Sequence, residues 1–279
     1  MPNTFSSFKD NKLFSKKEWI YSDQFVFLMK FIAPFIFLFL LYDIAKSFNN
    51  IKKYKWYILS MILVFSYLIS DLITSIIHCY NIDQSYSEKK YDIKDGYVII
   101  DTTNGYASCH HIFPSNWKDI SDSTIFTTAV SFFTIPIFLF YYFVKNTPLK
   151  LFLYATIIFV TFSAYTHKYA HEKLHKREVP FMIDLMQKMN LSLSPQVHQK
   201  HHVENNYNWS LLNGSSDTMF NYIIHNICHF IHKCPVEESV DNIKTFVEKN
   251  QTNIVNIRFT GDIEGTIQCR LEDNIFVKV

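Results

Sequence analysis

The sequence predicts an all-α integral membrane protein of about four transmembrane helices, with a histidine-rich cap on one membrane face and a small α+β tail. Apolar and aromatic residues make up 48% and 17% of the 279 residues, so much of the surface must meet lipid. Four stretches approach the roughly 20 apolar residues that a bilayer requires, and they cover residues 25–47, 57–78, 124–144 and 149–166. From about residue 236 the sequence becomes charged and then alternating. These three observations define the fold class.

The chain outside the spans has a simple predicted order. Residues 1–24 form a polar segment that is too long and hydrophilic for a cleaved signal peptide. After the last span, residues 185–195 and 218–234 favour helices that lie along the membrane interface. The tail, residues 236–279, is predicted to begin as a helix and to end in strands. Residues 25–235 therefore form a membrane domain, followed by a small soluble tail.

Charge and cysteine content exclude several classes of protein. The net charge is only +2, with no basic stripe interleaved with aromatic residues, so no nucleic-acid partner is indicated. Five cysteines are odd in number and include no C-x-x-C pair. They indicate neither a disulfide framework nor a zinc ribbon.

The four predicted spans place the termini and the histidines on one side of the membrane. If all four cross, the N-terminus, residues 81–123 and everything after residue 166 share that side. Most lysines outside the spans lie there too, although the loop 46–55 on the opposite side is also basic. The positive-inside rule therefore predicts that the histidine side is cytosolic.

Twelve histidines are the main anomaly of the composition. Eight of them fall into groups on the predicted cytosolic side: His78, the pair His110 and His111, the pair His167 and His171, and the set His198, His201 and His202. Imidazole suits iron, copper, zinc and nickel, and this many nitrogen donors suggests two metal ions. Asp71 lies about two turns before His78 on the same helical face, where an intramembrane acid needs a partner. We expect Asp71 to orient a liganding histidine.

Other interpretations fit single motifs. The adjacent pair His110 and His111 is typical of a solvated loop, and HKYAH suits an interfacial anchor. His171, Glu172 and His175 spell H-E-x-x-H, the zinc-protease pattern in which Glu172 would act as general base. A membrane metalloprotease is therefore the alternative function. It uses only two of the twelve histidines and leaves the other groups without a role.

Taken in order, several motifs resemble the Kua, or plasmanylethanolamine desaturase, family of membrane lipid desaturases. They are DLITSIIH, HHIFP, HKYAH, Pro180, HQKHHV and YNWSLLNG, over roughly residues 70–214. The resemblance implies an endoplasmic-reticulum-type membrane protein that desaturates an alkyl or acyl chain of an intact phospholipid. It implies two non-haem iron ions, and electrons from a cytochrome b5 or ferredoxin system. It further implies that the metal ligands are His78, His110, His111, His167, His171, His198, His201 and His202, with Asp71 near them.

The chain departs from the family pattern at some positions. Val197 stands where the family has a further histidine, and the segment VENNYNW lacks another. His175, or a histidine of the stretch containing His225, His229 and His232, would then complete one iron site, although a polar edge on an interfacial helix is the favoured interpretation of that stretch. A hydroxylase on the same scaffold and a catalytically silent membrane scaffold remain further alternatives.

Overall fold

The computed structural model describes residues 23–82, 90–101, 129–130, 134–204, 206–231, 234–236, 240–251, 256–260 and 267–270. Nine α-helices lie within these residues: α1 (Asp23–Lys46), α2 (Phe48–Ile51), α3 (Trp56–Ile77), α4 (Ile135–Phe143), α5 (Thr147–Leu174), α6 (Phe181–Lys188), α7 (Pro195–Val203), α8 (Asp217–Ile231) and α9 (Val240–Lys249). A π-helical turn, His78–Ile82, extends α3. The mostly helical fold that the sequence predicts is confirmed.

Three helices in the described part of the chain are long and apolar enough to cross a membrane. They are Phe27–Lys46, Trp56–Tyr80 and Thr147–Leu174, and they match the first, second and fourth predicted spans. The fourth is longer than predicted, because the helix continues through the histidines after residue 166. The described part of the third predicted span, 124–144, consists of residues 129–130 and of residues 134–144, with α4 as its long element.

The helices α3 and α5 run parallel and in close contact. Ser66 Oγ lies 3.1 Å from the carbonyl oxygen of Phe152, and Ser70 Oγ lies 3.5 Å from that of Thr156. Both partners advance by four residues together, which only parallel helices allow. Small hydroxyl side chains permit this approach, as is usual between membrane helices. The C-terminal ends of α3 and α5 therefore meet at the same end of the bundle.

The helix α4 runs back along α5 in the opposite direction. Thr134, before α4, lies 2.6 Å from Thr161 between their hydroxyl oxygens. At the other end, Tyr141 and Lys150 both donate hydrogen bonds to Asp43 of α1. The chain thus runs back through α4 to the end of the bundle where α5 begins, because α3 and α5 can be parallel only if the segment between them runs in the opposite direction.

The α3 helix is polar inside and apolar outside. Its buried residues are Ser66, Ser70, Asp71, Thr74 and Ser75, whereas Leu63, Val64 and Phe65 are more than half exposed. Apolar residues outward and polar residues inward is the distribution expected where lipid surrounds the bundle. The same face of α3 that buries hydroxyl groups also leads to His78.

Two amphipathic helices follow the bundle. α6 exposes Phe181 and Met182, and α8 exposes Tyr222 and Phe230. The first of these helices lies earlier than predicted, because residues 189–194 are not helical. The exposed aromatic residues suit the membrane interface.

Four strands form one sheet in the order β1 (Lys90–Lys94), β2 (Tyr97–Asp101), β3 (Asn256–Thr260) and β4 (Ile267–Arg270). β1 and β2 are an antiparallel hairpin, and β2 pairs in parallel with β3, with Val98 opposite Ile257. Val98, Ile100, Ile243 and Ile257 are fully buried. The α+β character of the tail is confirmed, and its sheet also includes a hairpin from between α3 and α4.

Cys228 and Cys234 form a disulfide bond after α8. The cysteine spacing in the sequence did not indicate this pairing. Cys228 is buried at the end of the helix. The two cysteines are six positions apart, and the bond closes the short connection between α8 and the tail.

Candidate metal centre

Two histidines lie one turn apart in the last turns of α5. His167 and His171 are each only 2% exposed, and their Nε2 atoms are 3.3 Å apart. A spacing of four residues puts both rings on one helical face. The membrane helix thus carries two buried imidazoles at its end.

The short helix α7 brings three more histidines to the same place. It begins at Pro195, a residue suited to the first helical position, where the backbone N–H needs no partner within the helix. His198 Nε2 lies 2.7 Å from His171 Nε2 and 3.0 Å from the Nε2 of His202. His198 and His201 are fully buried, and His202 is 4% exposed. The helices α5 and α7 pack together and so bring their histidines into one cluster.

His167, His171, His198 and His202 form a four-histidine group. One ligand atom of each lies within 4.8 Å of the others. Nitrogen ligands about 2 Å from one metal ion lie roughly 3 Å from each other, which is the spacing seen here. A set of nitrogen donors without thiolates suits iron, copper or zinc. The group therefore fits a transition-metal ion.

Burial keeps the central histidine of this group neutral. It lowers the pKa of His198 well below the ordinary value, and the neighbouring imidazoles His167, His171, His202 and His201 lower it further, since a positive charge on one repels a charge on the next. The neutral ring is the form that binds metals.

His78 and His201 lie beside the four-histidine group. Their ring centroids are 4.7 Å apart, and the His78 ring is 5.5 Å from that of His167. Nδ1 of His78 lies 2.7 Å from the Trp209 carbonyl oxygen, and Nδ1 of His201 lies 2.6 Å from that of Tyr207. A carbonyl accepts only from N–H, so both rings are protonated at Nδ1 and present the lone pair of Nε2. Liganding histidines typically have this arrangement.

The structure thus brings together six of the eight predicted ligands. His110 and His111 lie outside the described residues, as does His232. The supplementary candidates that the structure describes lie outside the four-histidine group. His175 follows the last residue of α5, His225 Nε2 lies 2.8 Å from the Asn206 carbonyl oxygen, and His229 Nδ1 lies 3.4 Å from Cys234 Sγ.

The protease pattern does not assemble in this geometry. His171 belongs to the four-histidine group, and His175 does not. Glu172 forms an ion pair in which Arg177 Nη1 lies 3.0 Å from both carboxylate oxygens. A carboxylate held in this way is poorly placed to take a proton from water.

Asp71 is fully buried, as an intramembrane acid with a function should be. Among the described residues, its carboxylate accepts hydrogen bonds from the segment 210–216 and from no histidine. The motif YNWSLLNG includes residues 210–214, but the sequence did not identify them as the partners of Asp71. The density of small and polar residues in SLLNGSSD was the available signal, since such residues favour tight turns.

A protein-family comparison adds independent evidence. A family model described as the lipid desaturase domain matches residues 67–234, which is more than half of the chain. No curated protein and no solved structure matches the chain. The matched region begins in α3 and contains every histidine described above.

Proposed function

Because the chain belongs to the lipid desaturase domain family, we propose that it is a non-haem di-iron desaturase that introduces a double bond into an alkyl or acyl chain of a phospholipid. Family membership makes it an oxidoreductase of the desaturase type that acts on lipid in a membrane. The carrying observation is the buried four-histidine group with His78 and His201 beside it, at the end of two parallel membrane helices. By analogy with the Kua family, the substrate is an intact phospholipid, such as an ether phospholipid.

Two neighbouring clusters of donors support two iron ions. The four-histidine group would hold one ion. His78 and His201 would contribute to the second, together with His110 and His111, which the sequence predicts as ligands. The donor chemistry fits iron, because imidazole nitrogen is a good ligand for it.

The chemistry requires a cofactor, because an unactivated C–H bond has no proton that a side-chain base could remove. Bound iron would supply the activation of dioxygen that this reaction needs. The protein's own residues bind and orient: the carbonyl oxygens of Tyr207 and Trp209 hold His201 and His78 in one tautomer. The burial of the six rings keeps water out of the site. The apolar surface of the helices brings a lipid chain to the cluster.

We propose that electrons come from a cytochrome b5 or ferredoxin system. By resemblance to the Kua family the membrane would be of the endoplasmic-reticulum type, and the lysine distribution predicts that the histidine face lies in the cytosol.

Metal content separates this function from the protease alternative. We expect purified wild-type protein to contain about two irons per chain, as eight histidine ligands allow. His202→Ala should lose metal and yield no desaturated lipid, because it removes a member of the four-histidine group. His175→Ala should keep both, since His175 lies outside that group. The measurement is elemental analysis of detergent-purified variants alongside lipid mass spectrometry.

The opposite pattern would support the protease. About one zinc per chain, lost in His175→Ala and retained in His202→Ala, would match the H-E-x-x-H motif. Wild-type protein without metal after incubation with ferrous iron would refute both enzymes and favour a silent scaffold.

A further inference from the structure

Asp71 receives an unusual number of hydrogen bonds for a side chain inside a membrane helix. Its Oδ1 accepts from the Ser210 hydroxyl, from Asn213 N–H at 2.9 Å and from Gly214 N–H at 3.3 Å. Its Oδ2 accepts from both the N–H and the hydroxyl of Ser216, each at 2.7 Å, and from the Ser215 hydroxyl at 3.2 Å. One carboxylate therefore organises the whole segment 210–216.

Neighbouring contacts fix the same segment to α3 and α5. Leu211 N–H donates to Thr74 Oγ1 at 3.3 Å, and the Leu211 carbonyl accepts from Thr166. Ser75 lies 3.1 Å from Ser216 between their hydroxyl oxygens. Gly214 has a φ of +87°, a conformation that strains residues with a side chain. The segment is thus a tight turn bound to the polar faces of both helices.

The residue just before this turn holds a predicted metal ligand. The Trp209 carbonyl accepts the Nδ1–H of His78, and Trp209 is fully buried. His78 and Asp71 belong to the same helical run, about two turns apart. The contacts therefore form a ring that runs from Asp71 through the turn and Trp209 to His78. The position of the Trp209 carbonyl depends on the Asp71 carboxylate.

We propose that Asp71 is a positioning residue: by holding the turn 210–216, it places the Trp209 carbonyl that fixes the tautomer and orientation of His78. The relation to the metal rests on the proposed function, whereas the effect on the His78 ring does not. Asp71→Asn is the informative change, because it keeps the shape of the side chain. In either orientation its amide NH₂ would face a backbone N–H, that of Ser216 on one side or those of Asn213 and Gly214 on the other, and a backbone N–H cannot accept a hydrogen bond. The turn would then shift, and His78 would lose its acceptor.

The first test reads the histidine ring itself. NMR of protein labelled with ¹⁵N-histidine, prepared without metal at mildly alkaline pH, should show His78 as the Nδ1–H tautomer in the wild type. The signal is assigned by its loss in His78→Gln. In Asp71→Asn it should shift to a mixture of tautomers. An unchanged His78 signal in a folded Asp71→Asn variant would overturn the proposal.

The matched control is Asp43→Asn, which changes another intramembrane carboxylate. Asp43 bonds Tyr141 and Lys150 at the opposite end of the bundle. This variant should lose stability but leave the His78 signal in place. If both variants shift the signal equally, loss of stability is the cause, and the positioning role is refuted.

Metal content provides the second readout. Asp71→Asn should weaken iron binding about 10- to 100-fold, the usual effect of removing a contact that supports a ligand. The iron ion that Asp71→Asn loses should be the same one that His78→Gln loses. If the wild type binds no iron, the proposed function fails while the tautomer measurement still decides the role of Asp71. If the wild type binds iron and Asp71→Asn retains both the iron and the tautomer, the proposed function stands and this inference fails.

Discussion

At the scale of single residues, two buried acids share one serine and differ in their partners. Ser210 donates its hydroxyl to Asp71 and its N–H to Asp217 Oδ1. Asp217 is 4% exposed, and its Oδ2 has no hydrogen-bond partner among the described residues. Burial raises the pKa of Asp217, the Ser210 N–H lowers it in part, repulsion from Asp71 raises it and His201 lowers it, so that the pKa is about 7. Near neutral pH, Asp217 is poised between its two charge states.

Asp217→Asn should change how stability depends on pH. Folding raises the pKa of Asp217 from 3.8 to about 7, so the wild type loses stability as the pH rises from about 4 to about 7, and this group causes no further loss above that pH. Above that pH, the charged Asp217 lowers the free energy of unfolding by about 4 kcal/mol at most. The variant should lack this loss of stability, so its stability relative to that of the wild type should increase as the pH rises. Thermal unfolding in detergent from mildly acidic to mildly alkaline pH measures it.

Asp92→Asn is the control for this prediction, because Asp92 is exposed on β1. It should keep the pH dependence of the wild type. A parallel pair of stability curves for wild type and Asp217→Asn would contradict the raised pKa.

At the scale of elements, the site depends on the register between α3 and α5. Ser66 and Ser70 lie one turn apart and allow the backbone of α3 to approach that of α5 closely. This contact determines how far His78 lies from His167, since each is near the end of its helix. The helix pair therefore sets the distance between the two clusters of ligands.

Replacing Ser70 by Leu should separate the two helices. The added side chain has no space in a fully buried position, so we expect a loss of about 1–3 kcal/mol in the free energy of unfolding. The metal content should fall with it, because His78 moves away from His167. Ser70→Ala should be tolerated. The matched control is Val64→Leu, on the lipid-facing side of the same helix. If Val64→Leu lowers stability and metal content as much as Ser70→Leu does, the packing of α3 against α5 is not the cause.

At the scale of the whole molecule, the orientation in the membrane has two independent reporters near the histidine face. Asn190 is exposed within an N-x-S glycosylation sequence, whereas the other two such asparagines, Asn208 and Asn213, are partly buried. The Cys228–Cys234 bond is the second reporter. Disulfides persist in oxidising compartments and are transient in the cytosol.

We expect Asn190 to carry no glycan, because the proposed orientation places it in the cytosol. In cells, Cys228 and Cys234 should be reduced, so maleimide added during denaturing lysis should label both, and their disulfide should form only on oxidation. Mass spectrometry of the alkylated protein checks both expectations. A glycan on Asn190, removed in Asn190→Gln, together with protected cysteines would place the histidine face in a lumen.

Much of this architecture could be predicted because it rests on local patterns. The length of an apolar run predicts a membrane helix, and the four-residue spacing of His167 and His171 predicts a shared face. The sequence also placed Asp71 on the same helical face as His78 and indicated that it needs a partner. It could not identify the donors to that carboxylate, because Ser210 lies 139 positions away. Contacts over that distance leave no periodic signal.

Two other features were missed for different reasons. The hairpin of β1 and β2 has a local signal, since Asp95 and Gly96 both have positive φ and form the Asp-Gly turn typical of two-residue hairpins. The disulfide has none, because the spacing of Cys228 and Cys234 matches no recurrent motif. The hairpin could have been predicted from the sequence, whereas the disulfide could be identified only from the fold.

The mixed sheet also constrains the order in which the protein matures. β2 is synthesised before α4 and α5, whereas its parallel partner β3 is synthesised after them. Val98 of β2 therefore cannot pair with Ile257 of β3 until α4 and α5 have been made. The edge of β2 must therefore remain open while the later membrane helices are made and inserted. Pairing over such a distance is slow compared with helix formation. The strands β3 and β4 thus complete a sheet whose first hairpin is translated before the membrane helices α4 and α5.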